Sequence, residues 1–125
     1  MERRETSKLV TIGDKSYQLN KTDARTSCWL FSFLGDKSEG KVLLTALGKC
    51  TKEEFNIVQY EALRKVNRID VEGDKEFPIP IVKSDGTLID KFLEENPNLL
   101  FDLTLSSVLY NISPFLKESD SNSQT

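Results

Sequence analysis

The sequence predicts a mainly α fold of the α+β type: a small helical domain of about four to five helices, with an N-terminal β-hairpin and a short extended edge segment. Three observations carry this expectation. Apolar residues recur at helical spacing through Phe55, Val58, Ala62, Leu63 and Val66, and again through Leu99, Leu100, Leu103, Val108, Leu109 and Ile112. Helix start signals precede both runs. Near the N-terminus, β-branched and aromatic residues flank a Gly13-Asp14 pair able to adopt the positive φ of a tight turn. A chain of 125 residues without a repeat or linker reads as one domain, residues 8–116, between a flexible stretch 1–7 and a disordered tail 117–125 that has nothing to bury.

In chain order, Leu9–Ile12 and Tyr17–Leu19 form the hairpin strands, and so short a hairpin needs helices or another chain to pack on. A first helix is expected from Thr22-Asp23, which supply a capping oxygen and a negative charge, to Leu34, stopping at Gly35. Its stretch Cys28–Leu34 is apolar almost all the way round, so it is either deeply buried or presents a second apolar face to a partner. A second helix spans Ser38–Leu47 and ends at Gly48. Thr51-Lys52-Glu53-Glu54 fits a capping box for the third, with Cys50 and Phe55 placed as a hydrophobic staple. Glu61, Arg64, Lys65 and Arg68 mark its polar side, where cations suit a helix C-terminus.

Residues 67–77 read as a charged, aperiodic loop containing Gly73. Pro78–Val82 is extended, and its two prolines confine it to an edge or a covering position. Ser84-Asp85-Gly86 is a turn, and Leu88–Glu95 a brief helix. Asn96-Pro97 opens the last helix, which reaches Pro114 and gains a second apolar edge from Phe101 and Leu105.

Composition excludes several functions. Histidine is absent, which removes the commonest metal ligand and general base. Cys28 and Cys50 are too few and too far apart for a metal site, and are expected as buried free thiols. The neighbouring carboxylates Glu53/Glu54 and Glu94/Glu95 point in different directions on a helix and do not converge on one substrate atom. No glycine cluster cradles a phosphate, and a net charge of −3 does not suit a nucleic-acid surface. The opening residues 1–8 are charged, unlike a signal peptide, and the apolar run Leu99–Leu116 is interrupted by Asp102, Asn111, Ser113 and Pro114. The expectation is a non-enzymatic intracellular protein with no catalytic, metal or cofactor site, no nucleic-acid partner and no membrane contact.

The capped helix Thr51–Phe55 leading to Arg64–Arg68, the Pro78–Val82 segment, the turn Lys83–Gly86 and a leucine-rich helix closing on Asn111-Ile112-Ser113-Pro114-Phe115-Leu116 occur in an order that resembles the tail assembly chaperones of long-tailed bacteriophages. Those chains are similar in an early hairpin, a capped helix ending in a basic residue, and a last helix ending in an Asn-Leu-Ser-Pro-Phe-Phe-like motif. Ile112 and Leu116 depart from it. The resemblance covers residues 8–116 and implies a protein of the host bacterial cytoplasm, or a prophage product, that is not retained in the mature virion. Its implied partners are the tape measure protein, the major tail tube protein, further copies of itself and a longer product made by ribosomal frameshifting, this chain being the short, non-frameshifted form.

An aggregation-prone helical client needs apolar surface covered reversibly. The candidate partner-binding residues are Trp29, Phe31 and Phe33 on the first helix and Phe101, Leu105, Phe115 and Leu116 on the last. Two other readings fit a small enzyme-free protein: a structural tail-completion or connector component of a phage particle, and a bacterial adaptor whose Arg64-Lys65-Arg68 cluster meets an acidic partner.

Overall fold

Gly13 and Gly73 each adopt positive φ, and each turns the chain through a two-residue hairpin loop closed by the same Gly-Asp-Lys triplet. A computed structural model describes residues 7–38 and 43–123, with side chains for 7–35 and 45–115. The first loop joins β1 (Ser7–Ile12) to β2 (Lys15–Asn20), and the second joins β3 (Asn67–Glu72) to β4 (Lys75–Pro80). The two hairpins combine into one antiparallel sheet in the order β1-β2-β3-β4, joined at β2–β3 through Ser16↔Ile69, Tyr17↔Arg68 and Gln18↔Asn67. Both turns lie at the same end of the sheet.

The fold is therefore α+β with a four-stranded antiparallel sheet, which corrects the expected mainly helical domain with one hairpin and a short extended segment. Residues 67–77 are not a loop. Ile69 and Val71 alternate with Arg68, Asp70 and Glu72, and that period of two forms β3. The prolines of the extended segment stand in β4, an edge strand, as proline requires.

Between β2 and β3 the chain makes α1 (Ala24–Ser38), α2 (Leu43–Gly48) and α3 (Lys52–Leu63); after β4 come α4 (Lys91–Glu95) and α5 (Pro97–Ser123). Asp23 starts α1 by accepting the Thr26 amide at 3.1 Å. Gly35 does not end that helix, which runs on to Ser38. The capping box of α3 forms as expected: Glu54 N–H donates to Thr51 Oγ1 at 3.1 Å, and Thr51 N–H donates to Glu54 Oε1 at 2.9 Å. α3 ends at Leu63 with Arg64 as its C-cap, and Arg68 belongs to β3. α4 starts later than expected, because Leu88 bridges Val82 across the 84–86 turn and Asp90 caps the helix. α5 continues past Pro114, where the sequence predicts its end, to Ser123.

Two apolar clusters hold these elements. One gathers Ile12, Tyr17 and Leu19 from the sheet with Leu63, Val66, Ile81, Leu93 and Leu103. The other gathers Leu30 and Leu34 of α1, Ala46 and Leu47 of α2, Val58 and Ala62 of α3, and Val108 and Ile112 of α5. α3 and α5 contribute to both, so they join the sheet half to the helical half. The sheet face bearing Val10, Ile12, Tyr17 and Leu19 packs inward; strand alternation turns Leu9, Thr11, Ser16 and Val71 to the opposite, exposed face.

Candidate protein-binding surface

α1 buries a narrow stripe, Ser27, Leu30 and Leu34, at the spacing of one helix face. This leaves Cys28, Trp29, Phe31 and Ser32 exposed on the remaining surface. Trp29 and Phe31 each keep 38% of their area in solvent. Their rings are not loose. Trp29 stacks on Phe33 one turn along, with centroids 5.1 Å apart, and Phe31 stacks on Phe115 of α5 at 4.6 Å. At about 100° per residue Trp29 and Phe31 stand on opposite flanks of the buried stripe, so these are two separate aromatic pairs, and the second bridges α1 to α5.

The other candidates are placed differently. Phe33, Phe101, Leu105 and Phe115 are half-buried and pack against the helical cluster, with Phe101 stacked on Phe55 at 6.2 Å. Leu116 lies in α5, but its side chain is outside the described residues. Of the seven, the structure therefore pairs Trp29 with Phe33 and Phe31 with Phe115, leaving Trp29 and Phe31 as the exposed members, while Phe101 and Leu105 pack into the helical cluster. Leu109, read from the sequence as a core position, is 41% exposed. It follows the buried Val108 by one residue, and the 100° step of a helix carries it out of the core stripe.

The motif Asn111–Phe115 has a structural account residue by residue. Asn111 Oδ1 accepts the Thr22 amide at 2.7 Å and the Thr22 hydroxyl at 3.1 Å, while its Nδ2 donates to the Ser107 carbonyl at 2.9 Å. Ile112 is buried in the helical cluster. Pro114 has no N–H to offer the Tyr110 carbonyl four residues back. That carbonyl is met instead by Lys21 Nζ at 2.8 Å and Ser113 Oγ at 2.9 Å. Phe115 carries the ring under Phe31. The motif is thus a joint that locks α5 to the β2–α1 connection and sets the Phe115 ring against Phe31.

The basic residues beside α3 are engaged within the chain. Arg64 reaches Glu61 at 2.6 Å and Asp23 at 2.8 Å. Arg68 reaches Asp70 at 2.9 Å and Asp90 at 3.3 Å. Thr26, donating through both hydroxyl and amide, holds the Asp23 carboxyl down at about 2, with Arg64 adding to the effect. The Arg68 bond likewise lowers Asp70, and Glu61 raises the Arg64 guanidinium. Of the Arg64-Lys65-Arg68 cluster, this leaves Lys65 as the exposed member.

A second polar cluster sits deeper. Asp90, 3% exposed, accepts the Tyr17 hydroxyl at 3.1 Å, pairs with Arg68 and caps α4 through the Leu93 amide at 3.1 Å. Burial, then the Asp90 charge, push the Tyr17 phenol well above its ordinary range, the wrong direction for an acid or base at neutral pH. The cluster ties the sheet to α4. Neither cysteine is in a disulfide, and Cys28 is exposed, which corrects the expectation that both thiols are buried; it follows the buried Ser27 outside the α1 core stripe.

Among the described residues, no group of three or more His, Cys, Asp or Glu is placed to hold a metal ion, and no helix is long and apolar enough to cross a membrane. Comparison with protein-family models, with curated proteins and with solved structures finds no match to this chain.

Proposed function

We propose that this chain is a non-catalytic tail assembly chaperone, which covers the apolar helical tape measure protein of a long-tailed phage in the host cytoplasm and associates with further copies of itself. The observation that carries the reading is the two pairs Trp29–Phe33 and Phe31–Phe115, one on each flank of α1: aromatic area held in fixed stacks yet left partly in solvent on a helix whose buried stripe is already complete. Rigid, amphipathic rings offer large contact area at low entropic cost, which suits a helix-in-groove or helix-on-helix client. The order of elements that resembles the chaperone family supports the same conclusion. The net charge of −3 keeps such an apolar surface in solution before the client arrives.

Trp29 is the chain's one tryptophan, so its fluorescence reports directly on the exposed surface of α1. Titration with a purified, apolar helical segment of a tape measure protein is expected to shift the emission to the blue. Phe31→Ser keeps the reporter and should weaken binding by at least about tenfold, with the far-ultraviolet circular dichroism unchanged. No shift at saturating client would sink the reading. Detection of the chain as a stoichiometric component of purified particles would replace it with the connector role.

A further inference from the structure

The two edges of the sheet are built differently. β4 pairs with β3 through Ile69↔Pro78 and Asn67↔Pro80 without interruption, so the two proline nitrogens face away from β3. They leave that edge short of donors, and the charges of Lys75 and Glu76 guard it further. On β1 the pairing with β2 starts from a turn of the same length, and the same alternation points the backbone groups of Ser7, Leu9 and Thr11 outward. No proline interrupts β1, and Lys8 is its one charge. Leu9, in the middle of this edge, is 62% exposed. An edge with a full row of donors and acceptors and a large apolar side chain at its centre is a pairing template.

We infer that β1 pairs antiparallel with β1 of a second copy, joining two four-stranded sheets into one of eight strands. A second copy is the occupant the edges favour, for three reasons. The proline-bearing edge cannot serve as the complementary partner, so pairing is β1 to β1 and closes at two chains rather than running on as a fibre. A twofold axis normal to the sheet keeps inner face with inner face, which sets Leu9 against Leu9 or Thr11 of the other copy and covers it. In neither register does Lys8 meet Lys8. A pairing of two six-residue strands is a small interface, so association is concentration-dependent. The inference stands on the edges alone and gives the self-association in the proposed function its contact surface.

Sedimentation over a wide concentration series, without any client, tests it. The native chain should approach twice its mass of 14.2 kDa. Leu9→Lys with Thr11→Lys should raise the dissociation constant by at least about tenfold, while Val71→Lys, on the same exposed face but in β3, should leave it unchanged. Amide exchange then reads the edge itself, with protection of Leu9 and Thr11 rising with concentration. A native chain that stays monomeric overturns the inference, as does a dimer that survives both lysines; either result leaves client binding by Trp29 and Phe31 untouched.

Discussion

Single residues in this molecule carry costs that their neighbours decide. Gly13 and Gly73 occupy equivalent turns at φ +64 and +66, and a side chain at either meets the strain of left-handed backbone, about 1–2 kcal/mol. Only Gly13 is also pressed from outside: a Cβ there would stand 2.8 Å from Phe92 and 3.1 Å from Leu99, whereas nothing lies within 4 Å at Gly73. Gly13→Ala should therefore lower the urea midpoint clearly more than Gly73→Ala, and equal losses would show that the Phe92 ring yields freely. Asp23 gives a second residue-scale prediction. Its folded pKa is depressed, so its contribution is present above the unfolded value of 3.8 and is lost as pH falls toward about 2. Asp23→Asn keeps a good capping group but has no carboxylate to titrate. Melting temperatures of the native chain should fall more steeply than those of the variant across that window; parallel curves would remove Asp23 as the cause.

Among the elements, the joint between α5 and the β2–α1 connection is the most exacting. Proline inside a helix costs about 3 kcal/mol where nothing answers it, and here Lys21 and Ser113 answer the carbonyl it strands. Asn111 is 1% exposed and satisfies two Thr22 groups that are themselves buried. Asn111→Ala leaves those donors without their acceptor and should cost about 1–3 kcal/mol in urea unfolding. A loss below that range would mean water replaces the amide. The element scale is also where the sequence was legible and where it was not. The capping box, the first hairpin and the edge placement of the prolines follow from local chemistry that tertiary contacts do not override. The second hairpin was missed because charges fill one side of β3, hiding the alternation of Ile69 and Val71. The Gly-Asp-Lys triplet does not decide the matter by itself. It turns the chain at Gly13 and Gly73, but at Gly35 it lies inside α1, where no β-branched residues flank it.

At the scale of the whole molecule, the candidate surface was half legible. An all-round apolar helix in a small domain pointed to Trp29 and Phe31, which do stand at the surface. Phe101 and Leu105 could not be told from surface positions by spacing, because α5 packs against α1, α3 and α4 and joins both apolar clusters, so most of its circumference is in demand. The apparent basic patch dissolved partly for a similar reason: Glu61 and Asp70 are local partners of Arg64 and Arg68, but Asp23 and Asp90 are distant in sequence and arrive only through the fold.

The seam between the hairpins has a kinetic meaning. Each hairpin can close from its own residues on a microsecond scale, of order 1–10 μs. Tyr17 and Arg68, paired across the seam, lie fifty-one positions apart, with α1, α2 and α3 between them. Their meeting must wait until those helices have collapsed the intervening chain, because a long loop costs entropy before a single seam contact rewards it. The helical half therefore sets the pace at which the sheet becomes whole.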